Sequence, residues 1–102
     1  KNNLKVDDLT LCTETEIVTR QGVELTLTPI GKKILALLML ESPNVVSRKR
    51  LEKAIWGDMP PDSDALRSHL YNLRKVVDRP FNSALIHTVQ SSGFRLSKEN
   101  GF

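Results

Sequence analysis

Hydrophobic residues in the second half of the chain recur with the period of an α-helix. Within Ser63–Asp78 they fall four, three and four residues apart, at Leu66, Leu70, Leu73 and Val77. Because a helix turns by about 100° per residue, these positions form one stripe and predict an amphipathic helix. Polar residues occupy the opposite face and its flanks: Asp64, Arg67, Ser68, Tyr71, Asn72, Arg74 and Lys75.

A short hairpin is predicted after this helix. Ile86–Val89 and Phe94–Leu96 have the composition of strands, and Gln90–Gly93 joins them. Gly93 can adopt the positive φ that a tight turn requires. A helix able to enter a DNA major groove, beside a hairpin able to reach the minor groove, indicates a winged helix.

The first half of the chain predicts a small sheet and two further helices. Alternating apolar residues mark four strands around residues 4–6, 9–11, 17–18 and 23–27, with Arg20–Gly22 as a hairpin loop. Thr28 and Pro29 predict the start of a helix that runs to about Glu41. This helix is apolar nearly all round, so we expect it to be the central buried one. Ser47 caps a second helix, Arg48–Trp56.

The predicted fold is therefore α+β, a winged helix-turn-helix in one domain over residues 1–102. It has an N-terminal four-stranded antiparallel sheet (residues 1–27), a core of three helices (28–79) and a C-terminal β-hairpin wing (85–97).

Charge and cysteine content narrow the class of protein. The chain has 102 residues, enough for one core, and its single cysteine, Cys12, excludes an internal disulfide. Its longest apolar run, Ile34–Leu40, is too short to span a membrane. Residues 1–30 carry three Lys/Arg against five Asp/Glu, whereas residues 47–79 carry eight against five. Positive charge thus lies in the helical part, where a phosphate backbone would be bound.

Three basic residues, Arg48, Lys49 and Arg50, open the second helix. Their charge opposes the helix dipole, and a phosphate bound there would reverse that cost. A solvated surface explains them equally well, so both interpretations remain open at this point.

Catalytic and metal-binding motifs are absent from the sequence. There is no phosphate-binding glycine motif and no nucleophile elbow, and His69 and His87 lack a cysteine partner at metal-ligand spacing. We therefore expect no enzyme activity, no metal and no cofactor.

Five segments carry a family resemblance: Leu27–Pro29 (LTP), Val45–Arg48 (VVSR), Trp56–Gly57 (WG), His69–Lys75 (HLYNLRK) and Ile86–Leu96 (IHTVQSSGFRL). From Leu25 to Leu96 the chain resembles the OmpR/PhoB family of winged-helix DNA-binding domains, the output modules of two-component response regulators. The resemblance makes the helix Ser63–Asp78 the recognition helix.

The resemblance also implies roles for individual side chains. Base contacts are expected from Ser68, Asn72 and Arg67, although Arg67 could equally neutralise a phosphate. Contacts to the DNA backbone are expected from His69, Tyr71, Arg74, Lys75, Arg48 and Trp56, and wing contacts from Ser92 and Arg95. For Trp56, packing under the following loop is an alternative to an approach to phosphate.

Some positions depart from the family pattern. Asn72 stands where relatives often have arginine. Because asparagine pairs with adenine and arginine with guanine, this difference favours adenine as the base read there. Asp64–Arg67 (DALR) stands where relatives often show Arg-Thr-Val-Asp, and Gln90-Ser91 replaces a common Arg-Gly.

Partners follow from the resemblance as well. It implies double-stranded DNA, with tandem or dimeric binding to direct repeats, and a receiver domain upstream that is absent from this chain. It also implies a cytoplasmic protein. In this family the loop after Trp56 can contact RNA polymerase, and in this chain that loop, Gly57–Asp62, departs from the pattern by being short and proline-rich. Two alternatives remain: the DNA-binding domain of a ToxR/CadC-like membrane-bound regulator, and a winged-helix module that binds proteins.

Overall fold

Six strands and three helices make up the part of the chain that the computed structural model describes, residues 3–98. Residues 1, 2 and 99–102 of the predicted domain lie outside that part. The elements are β1 (Asn3–Val6), β2 (Leu9–Cys12), β3 (Val18–Arg20), β4 (Val23–Leu25), α1 (Pro29–Glu41), α2 (Arg48–Trp56), α3 (Ala65–Val77), β5 (Ile86–Val89) and β6 (Gly93–Leu96). The predicted α+β class and the order of elements are confirmed.

The first four strands form an antiparallel sheet in the order β1-β2-β3-β4. Leu9 and Leu11 of β2 and Val18 of β3 are buried against the helices, as the alternation predicts. Arg20 differs from the prediction. It is the last residue of β3 rather than a loop residue, and its side chain is fully buried.

Two of the three helices begin at the predicted caps. The hydroxyl of Thr28 accepts a 3.0 Å hydrogen bond from the Gly31 N–H at the start of α1, and the hydroxyl of Ser47 accepts one of 3.1 Å from Arg50 at the start of α2. The expectation that α1 is the central buried helix is confirmed, since it packs against α2, α3, β1 and β6, although one side of it faces solvent. Leu40 is 65% exposed, because the sheet and the other helices pack on the opposite face of α1.

The third helix is shorter than predicted. It spans Ala65–Val77, not Ser63–Asp78, because the side chain of Asp64 caps it by accepting a 3.4 Å hydrogen bond from the Arg67 N–H. Asp78 follows the helix, and its carboxylate accepts the N–H groups of Leu85 and Ile86 at 2.9 and 3.2 Å. The predicted apolar stripe is confirmed: Leu66, Leu70, Leu73 and Val77 are each at most 2% exposed.

The wing is a two-stranded hairpin that packs on the start of α2. Its strands pair from Ile86 with Leu96 to Val89 with Gly93, so Gly93 belongs to β6 rather than to the turn. Gly93 has φ +142°, and a Cβ there would lie 2.2 Å from the carbonyl oxygen of Val46. Val46 and Phe94 exchange backbone hydrogen bonds of 2.7 and 2.9 Å, which join the wing to the helices.

A buried arginine connects the sheet to the end of α3. The guanidinium of Arg20 contacts Asp8 at 2.9 Å, donates to the Val77 carbonyl at 2.6 Å and to the Ser83 hydroxyl at 2.8 Å, and lies 4.7 Å from the ring centre of Phe81. A buried charge needs such partners, since its desolvation is costly.

None of the three helices between residues 3 and 98 has the length and apolar character of a membrane span.

Candidate nucleic-acid interface

The face of α3 that points away from the core is polar and open to solvent. Arg67, Ser68, Tyr71 and Asn72 are exposed and line one shallow groove along the helix. Ser68 and Asn72 lie four residues apart, so their side chains are neighbours on this face. The amide of Asn72 and the hydroxyl of Ser68 can each donate and accept hydrogen bonds. This face can therefore make directional contacts with a polar ligand edge.

The C-terminal half of this face is basic. The ring of the half-exposed Tyr71 has the guanidinium carbon of Arg79 at 4.9 Å and the ammonium of Lys75 at 5.7 Å from its centre. Hydrogen bonding by Arg79, with the charges of Arg79 and Lys75, holds the pKa of the Tyr71 phenol below its usual range. Cations at this end of the helix also complement its dipole.

A second groove lies between α3, the start of α2 and the wing. Its lining consists of Arg48, Asp64, Arg67, Leu70, Arg74, Thr88 and Phe94. Arg74 of α3 donates a 2.6 Å hydrogen bond to the hydroxyl of Thr88 on β5. Helix and wing therefore form one continuous surface, and three arginines line it.

Arg48 does not present a free charge at the start of α2. Its Nε lies 3.2 Å from Glu52, and its Nη2 forms an ion pair with the carboxylate of Asp64. The hydrogen bond from Arg48 holds the pKa of Asp64 below its usual range. Arg50, two residues on, forms an exposed ion pair with Glu41 at 3.1 Å. The basic start of α2 is thus partly neutralised by the protein itself.

The two predicted wing residues occupy different positions. Ser92 is exposed in the turn, where its N–H donates to the Val89 carbonyl at 2.9 Å. Arg95 lies within β6, half-buried, and is the register partner of His87. The turn itself is tight, with Ser91 at φ +67°. Ser92 is therefore at the tip of the hairpin and Arg95 on its body.

Trp56 and His69 contact each other where α2 and α3 meet. Their ring centres are 6.1 Å apart at an angle of 48°, and both side chains are half-buried. This contact fits the interpretation of Trp56 as a packing residue.

A family model described as "Transcriptional regulatory protein, C terminal" matches residues 22–96. The chain belongs to this family. Two relatives are the uncharacterized transcriptional regulatory protein YkoG of Bacillus subtilis (strain 168), 29% identical over 94 residues, and the response regulator MprA of Mycobacterium sp. (strain KMS), 33% identical over 90 residues. The alignments cover 91% and 87% of this chain but only 41% and 39% of YkoG and MprA.

A solved structure supports the same family assignment. The DNA binding domain of CpxR from E. coli has a TM-score of 0.80 to this chain at 28% identity, over 95% of this chain and 97% of that chain. The resemblance to the OmpR/PhoB family and the winged-helix fold are therefore confirmed. This family of transcriptional regulatory domains is not an enzyme class. Across residues 3–98 no group of His, Cys, Asp and Glu side chains is placed to hold a metal ion.

Three contacts of this winged-helix domain were missed by the sequence analysis: Arg74 with Thr88, Tyr71 with Arg79, and Arg48 with Asp64. The pattern of β5 gave no signal for Thr88, because in a regular strand Thr88 shares a face with the buried Ile86. Nor could the sequence show that Arg74 reaches Thr88, because that distance depends on how the hairpin packs on α3. The ion pair of Arg48 with Asp64 likewise depends on the angle between α2 and α3.

Proposed function

We propose that this domain binds double-stranded DNA in a sequence-specific manner and regulates transcription, as the output domain of a two-component response regulator. The observation that carries the proposal is the hydrogen bond of Arg74 with Thr88, which joins the polar face of α3 to the wing in one surface. Such a surface matches the geometry in which a helix enters the major groove and a hairpin approaches the adjacent minor groove. Family membership and the relation to the CpxR DNA binding domain support it.

Sequence reading is assigned to the exposed face of α3. Ser68 and Asn72 would contact base edges, and Asn72 would pair with adenine through its amide. Arg67 lies in both grooves, so it would contact either a base or the flanking phosphate. These three residues are our candidates for specificity.

Positioning on the duplex is assigned to the residues around this face. The proposed backbone contacts are His69, Tyr71, Arg74, Lys75, Arg48 and Trp56, with Ser92 and Arg95 in the wing. Each cation that neutralises a phosphate would release counterions and add affinity without reading sequence. Arg74 would act at the junction of helix and wing, because Thr88 already fixes its direction.

The wider context is proposed from the family. We propose tandem or dimeric binding to direct repeats, a receiver domain elsewhere in the protein, a cytoplasmic location and no catalytic activity. Contact with RNA polymerase would involve the loop between α2 and α3, where Met59 is 82% exposed. None of the relatives named above is described as a membrane-bound regulator. The ToxR/CadC-like alternative therefore gains no support from them.

In-vitro selection of duplex DNA from a random pool tests the proposal. We expect an enriched motif, in which repeated half-sites would indicate tandem binding. Binding to the enriched duplex should weaken steeply as salt rises, because phosphate contacts release counterions. A pool that stays unenriched, or an affinity for a protein partner that is insensitive to salt, would favour the protein-interaction module instead.

A further inference from the structure

One carboxylate lies within the otherwise cationic groove between α2, α3 and the wing. Asp64 is the single acidic side chain among the described residues that line this groove, beside Arg48, Arg67 and Arg74. Its carboxylate serves two partners at once. It caps α3 through the Arg67 N–H and forms the ion pair with Arg48.

The ion pair between Arg48 and Asp64 is held at the surface. The two side chains are 47% and 48% exposed, and ion pairs at such exposure are weak and readily exchanged. A guanidinium binds carboxylate and phosphate oxygens with the same donor geometry. Glu52, one turn further along α2, contacts the Nε of Arg48. This contact would keep the guanidinium in the same orientation if its ion pair with Asp64 broke.

We propose that Asp64 competes with DNA for Arg48: in the free protein its carboxylate occupies the place on the guanidinium that a backbone phosphate takes in the complex. This inference rests on the proposed DNA-binding function. Asp64 is then an affinity-limiting residue, since binding must first break its ion pair and then leaves its charge near the duplex. Its other role, the cap of α3, does not require the charge, because asparagine caps a helix as well as aspartate does.

Substitution of Asp64 by asparagine separates the two roles. The D64N variant keeps a capping side chain but removes the negative charge, so Arg48 is free to meet a phosphate. We expect D64N to bind duplex DNA about three- to tenfold more tightly at low salt, and the slope of log K against log salt to steepen by about one. Glu16→Gln is the matched control, because it removes the same charge from an ion pair, with Lys32 of α1 at 3.9 Å, whose residues line neither groove.

The measurement is fluorescence anisotropy of a labelled duplex of mixed sequence, titrated with the 102-residue chain from about 50 to 200 mM salt. Thermal unfolding of each variant checks that α3 is intact. The double-mutant cycle with Arg48→Ala supplies a second readout. R48A should weaken binding about twofold or less in the native background and about three- to tenfold in the D64N background.

Several results would overturn the inference. One is a D64N variant that binds like E16Q, with the same salt slope. Another is a D64N variant that binds more weakly than the native protein, which would make Asp64 a DNA contact in its own right. An equal cost of R48A in both backgrounds would show that the two side chains do not compete. Failure of the folded native protein and of every variant to bind duplex DNA would refute the proposed function itself, and this inference with it.

Discussion

The guanidinium of Arg20 lies 3.6 Å from the carboxylate of Asp78, and the two charges join three parts of the molecule. Arg20 ends β3, while Asp78 follows α3 and holds the first N–H groups of the wing through Leu85 and Ile86. The sheet is therefore fixed to the point where the helix passes into the hairpin. This contact lies at the junction of the two elements that form the proposed DNA-binding surface.

Removal of the Arg20 charge should destabilise the domain strongly. In Arg20→Met the carboxylate of Asp78 keeps its buried position but loses its ion pair, which costs about 3–5 kcal/mol at such sites. Arg50→Met is the control, because the Arg50 ion pair with Glu41 is exposed and contributes about 1 kcal/mol or less. Urea unfolding of both variants measures the difference, and equal stabilities would show that Arg20 does not organise this junction.

Gly93 should tolerate no side chain. A Cβ at this position meets the Val46 carbonyl oxygen at 2.2 Å and the residue has φ +142°, so Gly93→Ala should lose at least about 2 kcal/mol of unfolding free energy. Gly22→Ala is the matched comparison, since Gly22 also has positive φ but nothing lies within 4 Å of the added methyl group. We expect it to cost about 1 kcal/mol. A G93A domain as stable as G22A would contradict the close approach of wing and helix.

Local sequence pattern predicted the elements of this fold but not its long-range polar contacts. The apolar stripe of α3 and the caps at Thr28 and Ser47 depend on residues a few positions apart, and the structure places them as expected. The sequence pattern places Arg20 in a loop, because Arg20–Gly22 lies between the apolar residues of two predicted strands. Its burial depends on Asp8 and Asp78, which approach it only after the sheet has packed on α3.

In the candidate site, too, local pattern predicted the exposed residues but not their long-range polar contacts. The exposed positions of Ser68, Tyr71 and Asn72 follow from helical periodicity alone, since they lie opposite the buried stripe. The partners of Arg48 and Arg74 could not be predicted from periodicity, because they belong to other parts of the chain. Sequence thus predicted which residues are displayed, and the structure was needed to show which charges are already paired.

Lys75 should contribute to DNA affinity without contributing to sequence preference. Lys75→Ala removes one phosphate contact, so binding to all duplexes should weaken alike and the salt slope should fall by about one. The same result is expected for Arg74→Ala. Lys33→Ala, an exposed cation of α1 beside the sheet, serves as the control and should leave the slope unchanged. An unchanged slope for K75A would exclude Lys75 from the phosphate contacts.

Asn72 should read one base pair. In Asn72→Ala the preference at a single position of the selected motif should relax by about 1–3 kcal/mol, while affinity for unrelated duplexes stays nearly constant. Competition binding against a set of single-base variants of the motif measures this. Ser68→Ala offers the comparison, because it should relax a different position. Preserved preference at every position in N72A would mean that Asn72 is not a reader.

Chemical-shift mapping of the domain during titration with the selected duplex tests most directly whether α3 and the wing grip DNA together. We predict that the largest amide shifts fall on the exposed face of α3 around Ser68 and Asn72 and on the turn around Ser92, with little change in β1 to β4. Shifts confined to the four-stranded sheet, with both α3 and the wing unaffected, would contradict the proposed mode of binding.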